Sequence, residues 1–203
     1  MGACADRLAD LARGTRTAVI ANAIDVYAPE DRAEGVRREL DALTELGLEA
    51  EEFDLRRYFE SKQVIGDLRR YDVVWVRGGD VFTLRYSLAE SGADTALVEL
   101  LQEDALVYGG YSAGPCVLGP TLRGLEQVDN PAHVKMLYGA EPVWSGLAVL
   151  DYCIVPHVDS PGHPETAACG RLAEHYRKTS TAHRTLRDGE VLIIDGNRSF
   201  VCR

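Results

Sequence analysis

The chain has 203 residues, of which 46% are hydrophobic and 27% are charged, as expected for one soluble globular domain spanning residues 1–203. Its 32 Asp and Glu residues against 22 Lys and Arg residues give a formal net charge of −10. Nucleic acids and anionic membranes are therefore disfavoured as partners, because a surface that binds them needs local positive charge. No apolar run approaches the roughly 20 residues that span a bilayer, and residues 1–17 lack the apolar centre of a secretory signal. We therefore expect a cytoplasmic protein.

Strand-like and helix-like segments alternate through the first half of the chain. Short apolar runs, some rich in β-branched residues, predict strands, and apolar residues at helical spacing predict the helices between them. In chain order, these are strand 17–23, helix 29–47, strand 48–55 near a sheet edge, helix 58–71, strand 72–79, helix 80–104 broken near Gly92, and strand 105–112. The alternation predicts a three-layer α/β domain, with helices on both faces of a mainly parallel sheet.

The second half is less regular. It contains a predicted strand over 152–157, a helix over 164–180, and a hairpin over 190–203 that turns at Asp195 and Gly196. The five cysteines are widely scattered and form no CxxC pair: Cys4, Cys116, Cys153, Cys169 and Cys202. This spacing disfavours both a disulfide framework and a zinc site, and predicts mostly buried free thiols.

Three predicted strands end in glycine or histidine, at Gly78–Asp80, Gly110–Ser112 and Pro156–His157. Ligands of open parallel sheets bind outside the carboxyl ends of the strands, so we expect these ends to form one site. The motif G-x-G-x-x-G does not follow any of them, and no phosphate-binding G-x-x-x-x-G-K-[ST] occurs. Dinucleotide and phosphate-loop functions are therefore poorly supported.

Ser112 stands in a G-x-S-x-G pattern between a predicted strand and a helix-compatible segment. A sharp strand-to-helix turn exposes a serine hydroxyl at the sheet rim, and the flanking glycines give it room. The N–H of Ala113 could then donate to a developing oxyanion. The alternative interpretation is a small serine in a glycine turn, which the five residues alone do not exclude.

A serine nucleophile needs a base, and the chain offers five histidines. Only His157 directly ends a buried strand, so it is the preferred base, with His163 in reserve. The acid that orients the base stays open between Asp188 and Asp129, either of which could equally be a turn aspartate.

The pair Gly78 and Gly79 also has two interpretations. Their N–H groups could approach a substrate carbonyl oxygen and supply a second oxyanion donor. Alternatively, they form a tight turn in which Asp80 caps the following helix. The two interpretations are compatible.

Four stretches, in this order and spacing, resemble the peptidase E (aspartyl dipeptidase) and cyanophycinase family of serine peptidases. They are "VRGGDVFTL", "GGYSAGP", "YCIVPHVDSPGHPE" and "LRDGEVLI". The resemblance runs from about Thr17 to Val201. It implies a fold akin to class I glutamine amidotransferases, with serine in place of cysteine at the elbow, and no metal or other cofactor.

Carried onto this sequence, the resemblance implies a nucleophile at Ser112, a base at His157 and an acid at Asp188, where many members have glutamate. Asp129 stays open as the acid. An oxyanion and substrate-positioning role falls on Gly78, Gly79 and Asp80, and the loop with Gly162, His163 and Glu165 borders the substrate site. Family members usually begin with a further strand that is not evident here.

The leading hypothesis is therefore a serine peptidase that hydrolyses short peptides, with the family's preference for an N-terminal aspartate. The arginine that would hold a substrate carboxylate is not assigned among Arg77, Arg85, Arg123 and Arg171. One alternative is an α/β-hydrolase esterase using His183 with Asp151 or Asp159. Another is a catalytically inactive ligand-binding domain. A homodimer is an open expectation.

Overall fold

The computed structural model of the protein describes residues 6–203. In chain order, its strands are β1 (Arg16–Ile20), β2 (Glu49–Glu52), β3 (Val73–Val76), β4 (Val107–Gly110), β5 (Cys153–Val155), β6 (His183–Thr185), β7 (Val191–Asp195) and β8 (Arg198–Cys202). Its α-helices are α1 (Asp6–Leu11), α2 (Pro29–Glu45), α3 (Ile65–Leu68), α4 (Val81–Ser91), α5 (Ala93–Gln102), α6 (Ala113–Cys116), α7 (Ala132–Tyr138) and α8 (Thr166–Lys178). The expected alternation of strand and helix is present, and the predicted α/β fold is confirmed.

The first four strands form one parallel sheet in the order β2, β1, β3, β4. The central strands β1 and β3 are almost wholly buried, in agreement with their continuous apolar sequences. Strand β2 lies at an edge, and its acidic sequence alternates between exposed and half-buried positions. Because all four strands are parallel, their carboxyl ends meet along one edge of the sheet.

Local signals set the helix boundaries in this half. Helix α2 has proline in its first turn, where no N–H is needed, and Gly47 follows its end with a φ of +83°. Gly92 separates α4 from α5 with a φ of +77°, as the break in the helical pattern predicted. Glycine adopts this left-handed conformation without steric cost.

The remaining strands pair outside the four-stranded sheet. Strands β5 and β6 form a parallel pair, and β7 and β8 form the predicted antiparallel hairpin. Helix α6 packs against β5, and the Cys116 thiol lies 3.4 Å from the Ile154 carbonyl oxygen as its donor. The segment that follows β4 is thereby held beside the strand that leads to His157.

The helix predicted over residues 58–71 is wrong in most of its length. A 3₁₀ turn covers Leu55–Tyr58, and only Ile65–Leu68 is α-helical. Lys62 has a φ of +54°, which interrupts a right-handed helix. The sequence pattern also did not reveal α7 or β6.

The prediction of free thiols is confirmed for the buried Cys116, Cys153 and Cys169. It is wrong for Cys202, which is disulfide-bonded. Cys4 lies outside the described residues. Of the helices described, none is long and apolar enough to cross a membrane.

Candidate active site

Ser112 lies immediately beyond the carboxyl end of β4, at a sharp turn into α6. Its φ of 53° and ψ of −113° are unusual for a residue with a side chain. Ideal Cβ atoms on Gly110 and Gly114 would lie 2.4 and 2.5 Å from the carbonyl oxygen of Val76. Both glycines of the G-x-S-x-G pattern are therefore required by close packing against β3.

The Ser112 side chain does not cap the helix that follows it. Serine at the residue before a helix usually accepts a hydrogen bond from a backbone N–H, but Ser112 makes no such bond. Strained backbone conformations of this kind cost about 1–3 kcal/mol and cluster at functional sites. The half-buried hydroxyl is thus available for chemistry, which favours a nucleophile over a turn residue.

The Gly78–Gly79 loop contacts the serine directly. A Cβ on Gly78 would lie 2.8 Å from Ser112 Cβ, and one on Gly79, whose φ is +146°, would lie 2.6 Å from the Ala23 carbonyl oxygen. Asp80 caps α4 by accepting a hydrogen bond of 2.8 Å from the Thr83 N–H. The capping interpretation therefore applies to Asp80, and the same loop packs closely against Ser112.

His157, the histidine preferred as base from the sequence, lies within hydrogen-bonding distance of Asp188, one of the two aspartates considered as the acid. His157 Nδ1 lies 2.6 Å from Asp188 Oδ1, and the His157 side chain is 13% exposed whereas that of Asp188 is 50% exposed. Because an ionised carboxylate only accepts, this contact favours the tautomer with the proton on Nδ1, and none of the described contacts occupies Nε2. His157, like Ser112, has a positive φ, of 58°.

Ser160 contacts the backbone of Asp188, a contact that sequence reasoning missed. Its buried hydroxyl accepts a hydrogen bond of 2.8 Å from the Asp188 N–H. The Ser160 N–H in turn donates to Thr166 Oγ1 at 3.0 Å. No motif signals this serine, because its partner lies 28 residues away in the chain.

The described hydrogen bonds do not include one between Ser112 and His157. The two residues are related through α6 and β5, which pack together through Cys116 and Ile154. Hydrogen bonds between a nucleophile and its base are often long in the free enzyme and shorten when substrate binds. The arrangement is compatible with a serine–histidine pair.

Asp129 lies elsewhere in the site and does not contact His157. Its Oδ2 accepts a hydrogen bond of 3.0 Å from the Val81 N–H, at the start of α4. Burial, followed by the negative charges of Asp80 and Glu165, raises the pKa of Asp129 to about 7. Asp129 thus connects the loop before α7 to the start of α4.

His133, which sequence reasoning did not place in the site, lies beside these carboxylates. Its Nδ1 is 2.8 Å from Asp80 Oδ2. The pattern offered only a histidine in a polar segment, and the unpredicted α7 brings it to the start of α4.

The His163 ring stacks on the His157 ring. The rings of His157 and His163 are parallel within 4°, with centroids 3.6 Å apart, and His163 Nδ1 accepts a hydrogen bond of 3.2 Å from the Glu165 N–H. Donor atoms of His157, His163 and Glu165 come within 4.8 Å of one another, as in some metal sites. Lone pairs of stacked rings lie in parallel planes, however, so the geometry is that of a stack rather than of a ligand set.

Of the three residues required by an esterase interpretation, His183 and Asp159 contact other groups. His183 Nδ1 lies 2.8 Å from the Thr181 carbonyl oxygen, and Asp159 pairs with Arg187 at 3.1 Å. Asp151 is exposed in the loop before β5. None of the described contacts joins His183 to either aspartate.

Two of the four arginines considered for a substrate carboxylate are occupied. Arg77 pairs with Glu39 at 3.4 Å, and Arg85 pairs with Asp94 at 3.1 Å. Arg123 stacks on the Trp144 ring at 4.1 Å. Arg171, on α8, is exposed and forms no ion pair with a described side chain.

The sequence model of Peptidase family S51 matches residues 5–201 of the chain. Lin0382, an uncharacterized peptidase of Listeria innocua, is 28% identical over 155 residues, 76% of this chain and 70% of the relative. Peptidase E of Streptomyces coelicolor is 28% identical over 179 residues, 86% of this chain and 68% of the relative. A crystal structure described as a candidate peptidase E protein of Listeria monocytogenes EGD-e is similar to this structure, with a TM-score of 0.77 at 22% sequence identity. The similarity covers 100% of this chain and 96% of that one, and it supports the fold. Since the family match extends over nearly the whole chain, this serine-type peptidase belongs to Peptidase family S51, the family of peptidase E.

Proposed function

We propose that the protein hydrolyses short peptides, as a dipeptidase that prefers an N-terminal aspartate, through a triad of Ser112, His157 and Asp188. The observation that carries the proposal is the 2.6 Å hydrogen bond between His157 Nδ1 and Asp188. It leaves Nε2 of a half-buried histidine as a base, at the end of β5, against which α6 packs directly after the strained and uncapped Ser112. Asp129, whose carboxylate accepts from Val81, has no contact through which it could orient His157.

In the proposed mechanism, His157 removes the Ser112 proton as the hydroxyl oxygen attacks the scissile carbonyl carbon. The N–H groups of Ala113 and of Gly78 or Gly79 stabilise the oxyanion. Asp188 holds the imidazole in its reactive tautomer and stabilises the imidazolium. His157 then protonates the leaving amine, and a water molecule that it activates hydrolyses the acyl-enzyme.

The preference for N-terminal aspartate rests on the resemblance to aspartyl dipeptidases and on the relative named peptidase E. A substrate carboxylate needs a cation that is not already neutralised, because a paired arginine must first give up its partner. Arg77 and Arg85 fail this condition. Arg123, which stacks on Trp144, and Arg171 pair with no described carboxylate, so these two are the candidate partners for the substrate aspartate.

A dipeptide library tests the proposal directly. Wild type and Ser112→Ala are compared on Asp-X dipeptides and on matched Asn-X and Ala-X dipeptides. We expect hydrolysis of Asp-X that disappears in Ser112→Ala, and a reduced preference for Asp over Asn in Arg123→Ala or Arg171→Ala, whichever arginine holds the substrate carboxylate. Equal activity of wild type and Ser112→Ala would refute the mechanism.

The same assay separates the peptidase from an esterase that uses His183. His157→Ala is expected to abolish hydrolysis, whereas His183→Ala retains it. The reverse result, together with turnover of simple esters but not of dipeptides, would favour the esterase.

A further inference from the structure

A buried glutamate on α2 contacts residues next to both halves of the proposed catalytic centre. Glu39 is 9% exposed, in the middle of a helix whose other acidic residues lie at the surface. Its Oε1 accepts a hydrogen bond of 2.6 Å from Trp75 Nε1, and its Oε2 accepts one of 2.9 Å from the Tyr111 hydroxyl. A buried carboxylate is costly unless it is paired and hydrogen-bonded, so a specific arrangement maintains it there.

The hydrogen bond between Glu39 and Tyr111 connects Glu39 to the proposed nucleophile. Tyr111 is the residue before Ser112, and its ring lies against Gly78, where an added Cβ would come within 2.9 Å of Tyr111 Cε2. Burial, and then the charge of Glu39, raises the pKa of the Tyr111 hydroxyl. The hydroxyl therefore stays protonated and donates to the carboxylate.

The interaction between Glu39 and Arg77 connects Glu39 to the Gly78–Gly79 loop. Arg77 Nε lies 3.4 Å from Glu39 Oε2, and its Nη1 donates a hydrogen bond of 2.8 Å to the Gly78 carbonyl oxygen. One carboxylate oxygen thus interacts with a residue on either side of the gap between Ser112 and Gly78. That gap is where the oxyanion would form.

We infer that Glu39 is a positioning residue, which holds the serine turn and the Gly78–Gly79 loop in register through Tyr111 and Arg77. The inference rests on the proposed function, because it assigns the Ser112 and Gly78 gap to catalysis. A strained φ persists only where surrounding contacts over-determine it, and Glu39 supplies such contacts from behind the turn. Glu39 itself touches neither Ser112 nor a position where substrate would bind.

The test compares two Tyr→Phe variants that each remove one tyrosine–glutamate hydrogen bond. Tyr111→Phe removes the bond to Glu39. The matched control, Tyr71→Phe, removes the 2.7 Å bond from the Tyr71 hydroxyl to Glu51, at the opposite, amino end of the sheet. Both variants keep the aromatic ring and leave the carboxylate partner in place.

For Tyr111→Phe we expect kcat to fall about tenfold with KM nearly unchanged, since small displacements of reacting groups reduce rate steeply. The rate at which a fluorophosphonate labels Ser112 should fall by a similar factor. Tyr71→Phe removes a bond at the protein surface, so it should lower the melting temperature less and leave kcat and labelling unchanged. Equal effects of the two variants on kcat, or a rise in KM alone for Tyr111→Phe, would overturn the inference.

Substitutions of Glu39 provide the second readout. Glu39→Gln can still accept from Trp75 and can donate its amide to the Tyr111 hydroxyl oxygen, so it should retain more kcat than Glu39→Ala, provided that both variants fold. A Glu39→Gln variant as inactive as folded Glu39→Ala would contradict positioning through Tyr111. If Ser112→Ala leaves peptidase activity intact, the proposed function fails and the inference falls with it; if Ser112→Ala is inactive but Tyr111→Phe is normal, only the inference fails.

Discussion

Replacing Asp129 with asparagine should change how stability depends on pH. The pKa of Asp129 is raised to about 7, mainly by burial, from an ordinary value of 3.8. The folded protein therefore keeps this proton up to about pH 7, whereas the unfolded chain releases it near pH 4. Because the folded state binds more protons between these limits, stability falls as the pH rises through this range. Asparagine keeps an oxygen for the Val81 N–H and has no proton to lose.

The size of the effect follows from the two pKa values. Each pH unit between them is equivalent to ~1.4 kcal/mol, so the two units from pH 5 to pH 7 correspond to ~2.5 kcal/mol, an upper limit because the side chain is not fully buried. Urea unfolding of wild type and Asp129→Asn at pH 5 and pH 8 measures it. Relative to wild type, the variant should gain up to ~2.5 kcal/mol more stability at pH 8 than at pH 5.

The exposed Asp151 offers a matched control, because Asp151→Asn removes a carboxylate that the structure leaves at the surface. Its stability relative to wild type should be the same at both pH values. A stability difference for Asp129→Asn that does not change with pH, or that shrinks at pH 8, would refute the proposed burial of this carboxyl group.

Three further substitutions probe the site. Gly78→Ala places a Cβ 2.8 Å from Ser112 Cβ and should lower kcat at least about 100-fold in a folded protein, as measured by dipeptide hydrolysis alongside circular dichroism. Asp188→Asn should lower kcat about 10³-fold or more, because an amide no longer favours the proton on His157 Nδ1, and loss of the downfield Nδ1 proton signal in NMR would accompany it. Ser160→Ala removes the acceptor of the Asp188 N–H and should reduce kcat about tenfold. Unchanged kinetics in any of the three would contradict the role given to that residue.

The strand ends could be predicted because their signals are local. The apolar runs before Gly78 and Ser112 predict buried parallel strands, and the rule that ligands lie at carboxyl strand ends then brings the glycine loop and the serine together. The close approach of Gly110 and Gly114 to Val76 explains in atomic terms why the pattern requires glycine there.

The supporting residues could not be predicted, because their partners are distant in the chain. Glu39 and Tyr111 are 72 residues apart, and Glu39 occupies a helix whose other acidic residues lie on the surface. Asp129 and Asp188 both follow turn-like patterns, so composition alone left the acid open. The structure brings only Asp188 within hydrogen-bonding distance of His157.

Reaction with a fluorophosphonate, followed by mass spectrometry of the intact protein and its peptides, tests the central claim most directly. The account predicts a single adduct on Ser112, formed in parallel with loss of dipeptide hydrolysis, and no adduct in Ser112→Ala or in unfolded protein. Loss of hydrolysis with the adduct on another residue, or an unlabelled Ser112 in a protein that hydrolyses dipeptides, would contradict it.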